Sequence, residues 1–474
     1  MPEPFETPGP VDADLLAAIG RLVDERRQRY LDRLCDYVRM PSVSAEDLGV
    51  AETGAYIRDV LADGGFDARL LPTAGHPAVL ARRDGPPGSP HVVIYGHYDV
   101  QPAGDDALWD SPPFEPAVRD GRLFGRGTAD NKGQHLAHVI ATELLVELTG
   151  GLPCTVTFVL DGEEELGSPH LEPTLLAVRD QLAADLVLVS DGPMDPAGRY
   201  QLVYGLRGVL AFEMSATGAV RDLHSGHFGE IAPNPLWTLV HLLASMKAAD
   251  GTITIDGVNE LVAPMGEAER AAMAALEPDP AAVLAATGAP ELAPSPAATL
   301  NERAMARPTL TINGLHGGYD GPKIKTVLPH TAVAKCDMRL VDGQDADTVW
   351  RLVQEHVRRH APGVRLTRHG AMHPSRTPMD TPYAGPVARG VRAVTGQEPL
   401  HVPVAGGSLP MWVFTRSLGL PALLLPFGNY DEANHAPNEN LDLTCFYQGI
   451  RISAAVLLAL AAEGRARRPH AAAA

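Results

Sequence analysis

Residues Cys154-Thr-Val-Thr-Phe-Val-Leu-Asp-Gly-Glu-Glu-Glu-Leu-Gly-Ser168 join an apolar, β-branched run to three consecutive carboxylates. The apolar run predicts a buried strand over 154–160. Three carboxylates at the end of a buried strand repel one another and resist removal from water. The sequence therefore predicts either a solvated acidic loop or a site where cations compensate the charge.

Composition limits the classes of protein to which the chain can belong. Its 474 residues predict two or three domains, and the formal net charge of −19 argues against a nucleic-acid partner or an anionic membrane surface. We expect no signal peptide and no membrane span, because the N-terminus lacks a basic and apolar leader and no long apolar run is uninterrupted. The four cysteines lie in apolar segments, which predicts buried free thiols in a reducing cytoplasm.

Helical periodicity alternates with apolar strand-like runs in two parts of the chain. Strands are predicted at 68–71, 78–83, 91–95, 154–160, 186–189 and 421–425, with a hairpin over 117–124 that turns at Asp120-Gly121. Helices are predicted from Asp14 to before Pro41, at about 46–63, after Asp130, and at about 170–183, 382–395 and 442–463. This alternation predicts an α/β catalytic domain with a largely parallel central sheet flanked by helices.

The pattern changes after Gly205-Leu-Arg-Gly208. Strands are predicted at 209–216, 308–313, 331–341 and 364–368, and helices at 235–248 and 345–360. That order is β-α-β-β-α-β, which is typical of a ferredoxin-like α+β domain. We predict a discontinuous first domain (1–207 and 379–474) around an inserted second domain (208–378) that carries a helical insertion at about 257–300.

Polar residues follow several predicted strands of the first domain. These residues are His97, Asp99, Glu163, Glu164, Glu165, Asp191 and His435, and Asp130 begins a helix nearby. Any one of them alone is typical of a structural hydrogen bond or, for Asp130, of a helix cap. Ligand crevices of open α/β sheets lie at the strand ends, so together they predict a metal site. Mixed nitrogen and oxygen ligands suit zinc, manganese or cobalt, and a spare glutamate could accept a proton from an activated water.

Five motifs in this order resemble the M20 metallopeptidases, most closely the branch of cytosolic non-specific dipeptidases and carnosinases. The motifs are Gly96-His-Tyr-Asp-Val-Gln-Pro102, Gly125-Arg-Gly-Thr-Ala-Asp-Asn-Lys-Gly133, Gly162-Glu-Glu-Glu-Leu-Gly-Ser168, Ser190-Asp191 and His435-Ala-Pro-Asn-Glu439. The resemblance covers nearly the whole chain.

The resemblance implies a role for each of these polar residues except Glu163. Asp130 would bridge two ions, with His97 and Asp191 completing one ion and Glu165 and His435 the other. Glu164 would be the general base, Asp99 would orient His97, and the Asp130–Asn131 peptide bond would be cis. The ions would be two divalent cations per subunit, Zn²⁺ first and Mn²⁺ as the alternative.

The second domain carries its own part of the resemblance. Arg221-Asp-Leu-His-Ser-Gly226 resembles the motif whose histidine reaches across a homodimer to the scissile carbonyl, which assigns that role to His224. The resemblance makes this domain a lid and dimerisation domain, with Thr326, Arg339 and Ser408 holding the substrate and His369 a further contact.

Two positions depart from the family pattern. Asp161 replaces the usual glutamate ahead of the ligands, and Glu230 replaces the second glycine of the Gly-Gly pair that usually follows the His-Ser-Gly motif, which leaves the substrate preference open. His227 is predicted to be a surface residue, with a substrate contact as the alternative.

We therefore predict a cytoplasmic, homodimeric metallo-dipeptidase that cleaves the amide bond of dipeptides or short peptides through metal-activated water and a glutamate base. The alternatives are a deacylase of N-acyl amino acids, such as the deacetylase and desuccinylase types, and a non-catalytic metal-binding protein.

Overall fold

The computed structural model describes residues 11–295 and 298–466. Two compact units divide the chain: Met1–Tyr204, Thr377–Val402 and Val413–Ala474 form the first, and Gly205–Arg376 and Pro403–Trp412 form the second. The predicted boundaries after 207 and 378 lie within three residues of these divisions. The segment 403–412 belongs to the second unit, whereas the sequence placed it in the first.

Helices and strands alternate along most of the chain. The helices are α1 (Ala13–Glu25), α2 (Arg27–Val38), α3 (Val50–Asp63), α4 (Gly133–Thr149), α5 (Leu171–Ala177), α6 (Ser225–Phe228), α7 (Pro235–Met246), α8 (Glu267–Ala275), α9 (Pro280–Thr287), α10 (Ala346–His360), α11 (Ala384–Thr395) and α12 (Leu443–Ala466). The strands are β1 (Asp67–Leu71), β2 (Ala78–Arg83), β3 (His91–His97), β4 (Ala117–Arg119), β5 (Arg122–Phe124), β6 (Thr155–Asp161), β7 (Leu186–Val189), β8 (Gln201–Val203), β9 (Gly205–Leu206), β10 (Gly208–Thr217), β11 (Leu223–His224), β12 (Thr309–Gly317), β13 (Val327–Leu328), β14 (Thr331–Leu340), β15 (Arg365–Met372), β16 (Ser375–Arg376), β17 (Leu400–Val402), β18 (Ala422–Leu424) and β19 (Asn440–Asp442).

An eight-stranded sheet forms the centre of the first unit, in the order β1-β2-β6-β3-β7-β18-β8-β17. The pairs β6/β3, β3/β7, β7/β18 and β8/β17 are parallel, and β1/β2, β2/β6 and β8/β18 are antiparallel. The sheet is therefore mixed, and the prediction of a largely parallel sheet was too strong. Apolar runs report burial but not direction, which depends on the connections.

Helices cover the apolar residues of this sheet. Strands β3 and β6 are buried along their whole length, as expected for strands covered on both faces. Helix α12 packs against α1, α4 and α11. Within the described ranges it is the one helix that is long and apolar enough to cross a membrane, and 78% of its apolar window is buried, as in a core helix.

Two local predictions for the first unit can be compared directly with the structure. The helix predicted from Asp14 is two helices that break at Arg26, whose guanidinium forms two hydrogen bonds of 2.7 Å to Glu147 on α4. The hairpin prediction is correct: Asp120 and Gly121 have φ values of 48° and 79°, as a tight hairpin turn requires. The hairpin pairs with β19 and not with the large sheet.

A four-stranded antiparallel sheet in the order β12-β14-β10-β15 forms the second unit, with α7 and α10 packed against it. Buried and partly exposed residues alternate along β10 and β14, because one face of the sheet meets the helices. Along the chain, these four strands and two helices follow the order β10-α7-β12-β14-α10-β15, which is the β-α-β-β-α-β order that the sequence predicts. The predicted insertion contains α8 and α9.

Candidate active site

Three adjacent parallel strands bring the polar residues of the first unit to one edge of the sheet. Strand β3 lies between β6 and β7, and His97 at its end is in register with Asp161 at the end of β6. Asp191 follows β7 by two residues. The carboxyl ends of parallel strands meet at one edge, which is why residues distant in sequence converge there.

One group of possible metal ligands consists of His97, Asp130 and Asp191, all of them buried. The Nε2 atom of His97 lies 3.0 Å from Asp130 Oδ1 and 3.4 Å from Asp191 Oδ2. Among the described residues, neither His97 Nε2 nor Asp191 Oδ2 has a hydrogen-bond partner, although both atoms are buried. Buried polar atoms are normally satisfied, so a group that satisfies these two atoms fits here.

A second group consists of Asp130, Glu165 and His435. The Nε2 atom of His435 lies 3.0 Å from Asp130 Oδ2 and 3.3 Å from Glu165 Oε2. Asp130 therefore directs one carboxylate oxygen to each histidine and belongs to both groups. Each group offers one imidazole and two carboxylates, a donor set that suits a divalent transition-metal ion.

The electrostatics of these groups also favour a cation. Burial and the charge of Asp130 raise the pKa of both Glu165 and Asp191. Burial disfavours ionised Asp130, but the hydrogen bond from His435 and the adjacent ring of His97 outweigh it and hold the pKa of Asp130 well below the usual range. Hydrogen bonds to Asp130 and Glu165 raise the pKa of His435 to about 10. Bound cations would stabilise the carboxylates and displace the protons of the histidines.

The three glutamates of the acidic turn, which comprises residues 161–168, have different hydrogen-bond partners. Glu163 accepts a hydrogen bond of 2.8 Å from His170, and Glu165 accepts one of 2.8 Å from Gln101. The carboxylate of Glu164 is buried, and no group of the described residues donates a hydrogen bond to it. Burial raises the pKa of Glu164 well above its usual range, and neighbouring carboxylates raise it further. A buried carboxyl group with a raised pKa and no protein partner is suited to proton transfer.

Asp99 connects the first histidine to the acidic turn. His97 Nδ1 lies 3.0 Å from the backbone oxygen of Asp99 and 3.4 Å from its Oδ1 atom. The carboxylate of Asp99 accepts hydrogen bonds of 3.1 Å from the backbone N–H groups of Glu164 and Glu165, and one of 2.7 Å from the hydroxyl group of Ser44. Asp99 thus holds the turn that carries two of the predicted site residues, in addition to contacting His97.

Glu439, for which the sequence predicts no role, fixes the loop that carries Asp130. Its buried carboxylate accepts hydrogen bonds from the backbone N–H groups of Gly127, Ala129 and Asp130, and from the Arg126 guanidinium at 2.7 Å. Gly127 has a φ of 87°, and a Cβ atom there would lie 2.7 Å from Val100. Glu439 ends one of the motifs quoted above, and the charged partner Arg126 stands in another, which was the available signal.

Two expectations for the loops around the site can be compared with the structure. The Asp130–Asn131 peptide bond is cis, as expected. Asp161, which departs from the family pattern, closes the acidic turn by accepting hydrogen bonds from the backbone N–H of Glu163 at 3.1 Å and from Ser168 Oγ at 2.6 Å. Burial raises the pKa of Asp161 to about 6.

The predicted substrate contacts all lie in the second unit. Arg339 Nη1 donates a hydrogen bond of 3.1 Å to Ser408 Oγ, so these two residues meet. The backbone oxygen of Thr326 accepts a hydrogen bond of 3.1 Å from Ser225, the neighbour of His224. His369 lies on β15 with Glu213 at 3.8 Å as its ion-pair partner.

His224 is exposed, and its Nδ1 atom accepts a hydrogen bond of 3.0 Å from the backbone N–H of Gly226. The proton of the neutral ring therefore lies on Nε2, which is left free to donate. His227, also exposed, stacks on His224 with 4.6 Å between ring centroids. Glu230 is exposed and has a φ of 62°, a conformation that glycine adopts more readily.

Comparisons with known proteins cover nearly the whole chain. The profile described as peptidase family M20/M25/M40 matches residues 93–459. The Cys-Gly metallodipeptidase dug1 of Schizosaccharomyces pombe is 32% identical over 463 residues, which are 92% of this chain and 96% of that protein. The Beta-Ala-His dipeptidase of Mus musculus is 29% identical over 435 residues, 90% of this chain and 88% of that protein. The solved structure of an M20 family metallo-carboxypeptidase from Sulfolobus solfataricus has a TM-score of 0.85 at 31% identity, over 91% of this chain and 99% of that one.

Proposed function

The chain belongs to peptidase family M20/M25/M40, and we propose that it is a metal-dependent dipeptidase that hydrolyses the amide bond of dipeptides or short peptides. One observation carries the proposal: two groups of candidate metal ligands share Asp130, and beside them lies the buried carboxylate of Glu164, which has no hydrogen-bond donor among the described residues. The names of the relatives support the substrate class, since they include Cys-Gly and Beta-Ala-His dipeptidases.

We propose that each subunit holds two divalent cations, Zn²⁺ first and Mn²⁺ as the alternative. His97, Asp130 and Asp191 would hold one ion, and Asp130, Glu165 and His435 the other. Such ions, when bound, lower the pKa of a coordinated water molecule and polarise the carbonyl of a substrate. Asp99 and Glu439 support the ligands, because their carboxylates fix the backbone of the two loops that carry Glu165 and Asp130.

Glu164 moves the proton in this proposal. Its carboxylate accepts a proton from the attacking water and delivers it to the leaving amine nitrogen. The site suits this exchange, because burial and the surrounding carboxylates favour the protonated form and cations favour the ionised form. A group balanced between the two forms can serve as base and then as acid.

The second unit would recognise the substrate. Arg339, Thr326 and Ser408 would hold its terminal carboxylate, for which the planar guanidinium of Arg339 is well suited. His369 is a further proposed contact. His224 would donate its Nε2 proton to the oxyanion that forms at the scissile carbonyl, because Nδ1 already accepts a backbone hydrogen bond.

We propose that the protein is a homodimer in which His224 serves the site of the partner subunit. Strand β12 is an edge strand of the second sheet, and its residue Ile312 is 52% exposed. Trp237 on α7 is 60% exposed. Exposed edge strands and apolar side chains favour pairing with another chain.

Mixing two inactive variants should reveal the shared site. A dimer of one Glu164→Gln chain and one His224→Ala chain would have one intact site, so random exchange should restore about one quarter of the activity. Hydrolysis is measured after incubation of the mixture, with subunit exchange followed by differently tagged chains. No recovery despite proven exchange would mean that His224 acts within its own chain or not at all.

A substrate panel tests the proposed function. We expect kcat/KM for Cys-Gly, β-Ala-His and other free dipeptides to exceed that for N-acetyl and N-succinyl amino acids at least tenfold. N-acyl amino acids lack the free amino group of a dipeptide, and a pocket built for a polar group rejects a substrate that lacks it. A preference for N-acyl amino acids would favour the deacylase alternative instead.

We also propose that the protein is cytoplasmic. Its four cysteines are buried free thiols, which are typical of a reducing compartment. Fractionation of the source cells with antibody detection tests this: recovery in a secreted or membrane fraction would contradict it.

A further inference from the structure

Two arginines of the second unit flank the turn Gly406-Gly407-Ser408. Ser408 Oγ donates a hydrogen bond of 2.7 Å to the backbone oxygen of Arg207 and accepts one of 3.1 Å from Arg339. The Arg207 guanidinium contacts the backbone oxygen of Gly406 through Nη2 at 3.3 Å and Nε at 3.4 Å. One hydroxyl group therefore links the backbone of the first arginine to the side chain of the second.

The charge of this arginine pair is incompletely balanced. Asp337 Oδ2 lies 3.7 Å from Arg339 Nε, while Oδ1 of the same carboxylate accepts a hydrogen bond of 2.8 Å from Asn313. No carboxylate of the described residues lies within ion-pair distance of Arg207. Burial lowers the pKa of Arg207, and the positive charge of Arg339 lowers it further. Two partly buried guanidinium groups with one carboxylate nearby would be stabilised by an added anion.

We propose that Arg207 is a second guanidinium that binds the terminal carboxylate of the peptide substrate, together with Arg339. This inference rests on the proposed function, in which Arg339 and Ser408 already hold that carboxylate. The planar guanidinium of Arg207 has N–H donors beyond those that face Gly406, and these donors can bind a carboxylate oxygen. Arg207 thereby restricts the enzyme to peptides with a free terminal carboxylate.

A purely structural role for Arg207 would predict a different effect of its removal on substrate binding. In that case its contacts with Gly406 would only hold the turn, and its removal would affect all substrates equally. Those contacts are long, at 3.3–3.4 Å, which is near the limit for an N–H···O bond. Substrates that differ only in the terminal group separate the two roles.

The test compares a dipeptide with its C-terminal amide in wild type, Arg207→Ala and Arg207→Lys. We expect Arg207→Ala to raise the KM of the free dipeptide about ten- to a hundredfold, the range of a lost hydrogen bond between charged groups. The KM of the amide should change less than about twofold, because the amide offers no anion. Where the amide is hydrolysed too slowly, its inhibition constant against the dipeptide replaces KM. Arg207→Lys keeps the positive charge, so its KM for the free dipeptide should lie between those of wild type and Arg207→Ala.

Arg365→Ala is the matched control, since Arg365 is an exposed arginine of the same unit. Equal losses for the dipeptide and the amide would overturn the inference, and so would no loss for either. If Arg207→Ala does not fold, as judged by thermal melting, Arg207→Lys and Arg207→Gln decide by the same comparison. If wild type hydrolyses neither dipeptides nor their amides, the proposed function fails and this inference fails with it.

Discussion

Replacing Glu164 with glutamine is expected to lower turnover at least about a hundredfold, the usual contribution of a positioned acid–base group. Glutamine has nearly the shape of glutamate but cannot accept a proton. Glu164 belongs to neither group of candidate metal ligands, so the metal content should remain that of wild type. Measuring kcat on a dipeptide together with the metal content of the same sample checks both parts of this expectation.

Glu163→Gln is the matched control for this experiment. Glu163 is the neighbouring carboxylate, but it pairs with His170 at 2.8 Å and belongs to neither ligand group. We expect this variant to keep activity within a few-fold of wild type, because glutamine keeps the shape of the side chain and its oxygen can still accept the hydrogen bond from His170. Near-normal turnover of Glu164→Gln would refute the assignment of the base. A loss of metal in that variant would instead make Glu164 a ligand.

Replacing Asp130 with asparagine should have the second large effect. Asp130 directs Oδ1 to His97 and Oδ2 to His435, and asparagine has only one oxygen and an NH₂ group that cannot ligate a cation. We expect the affinity for the metal to fall at least about a hundredfold, since even supporting residues are worth ten- to a hundredfold. Activity should fall with it.

The metal affinities of wild type and Asp130→Asn must be compared at one pH. Because Asp130 and Glu165 raise the pKa of His435 to about 10, a cation has to displace a proton from that ring at neutral pH. Metal affinity should therefore fall as the pH falls. Asp120→Asn, in an exposed hairpin turn that asparagine tolerates, is the control. Wild-type metal content in Asp130→Asn would contradict a shared ligand.

The resemblance to M20 metallopeptidases is confirmed, and the sequence also predicted most of the secondary structure. Strands such as β3 and β6 can be predicted from the sequence alone, because burial on both faces gives them an unbroken apolar pattern. The short strand β8 and the edge strand β17 have three residues each and were missed. The share of parallel strand pairs was overestimated, since strand direction depends on the connections between strands, which hydrophobic periodicity does not report.

The candidate site could be predicted only in part, for a similar reason. His97, Asp130 and His435 stand in distinctive motifs, and the structure brings them together. The interactions of Glu439 and the Asp99 carboxylate depend on loops that meet in space, Glu439 lying 309 residues from Asp130. The motifs mark Glu439 and Asp99 as residues of interest, but local sequence periodicity does not indicate which backbone groups their carboxylates bind.

The central claim is that cations held by the two ligand groups support dipeptide hydrolysis. The most direct test runs the dipeptides of the substrate panel on one preparation before chelation, after chelation and after return of Zn²⁺ or Mn²⁺, with metal content measured on every sample. The proposed function predicts that hydrolysis disappears with the metal and returns in proportion to occupancy, up to two ions per chain. Undiminished dipeptide hydrolysis by a chain stripped of metal would contradict it.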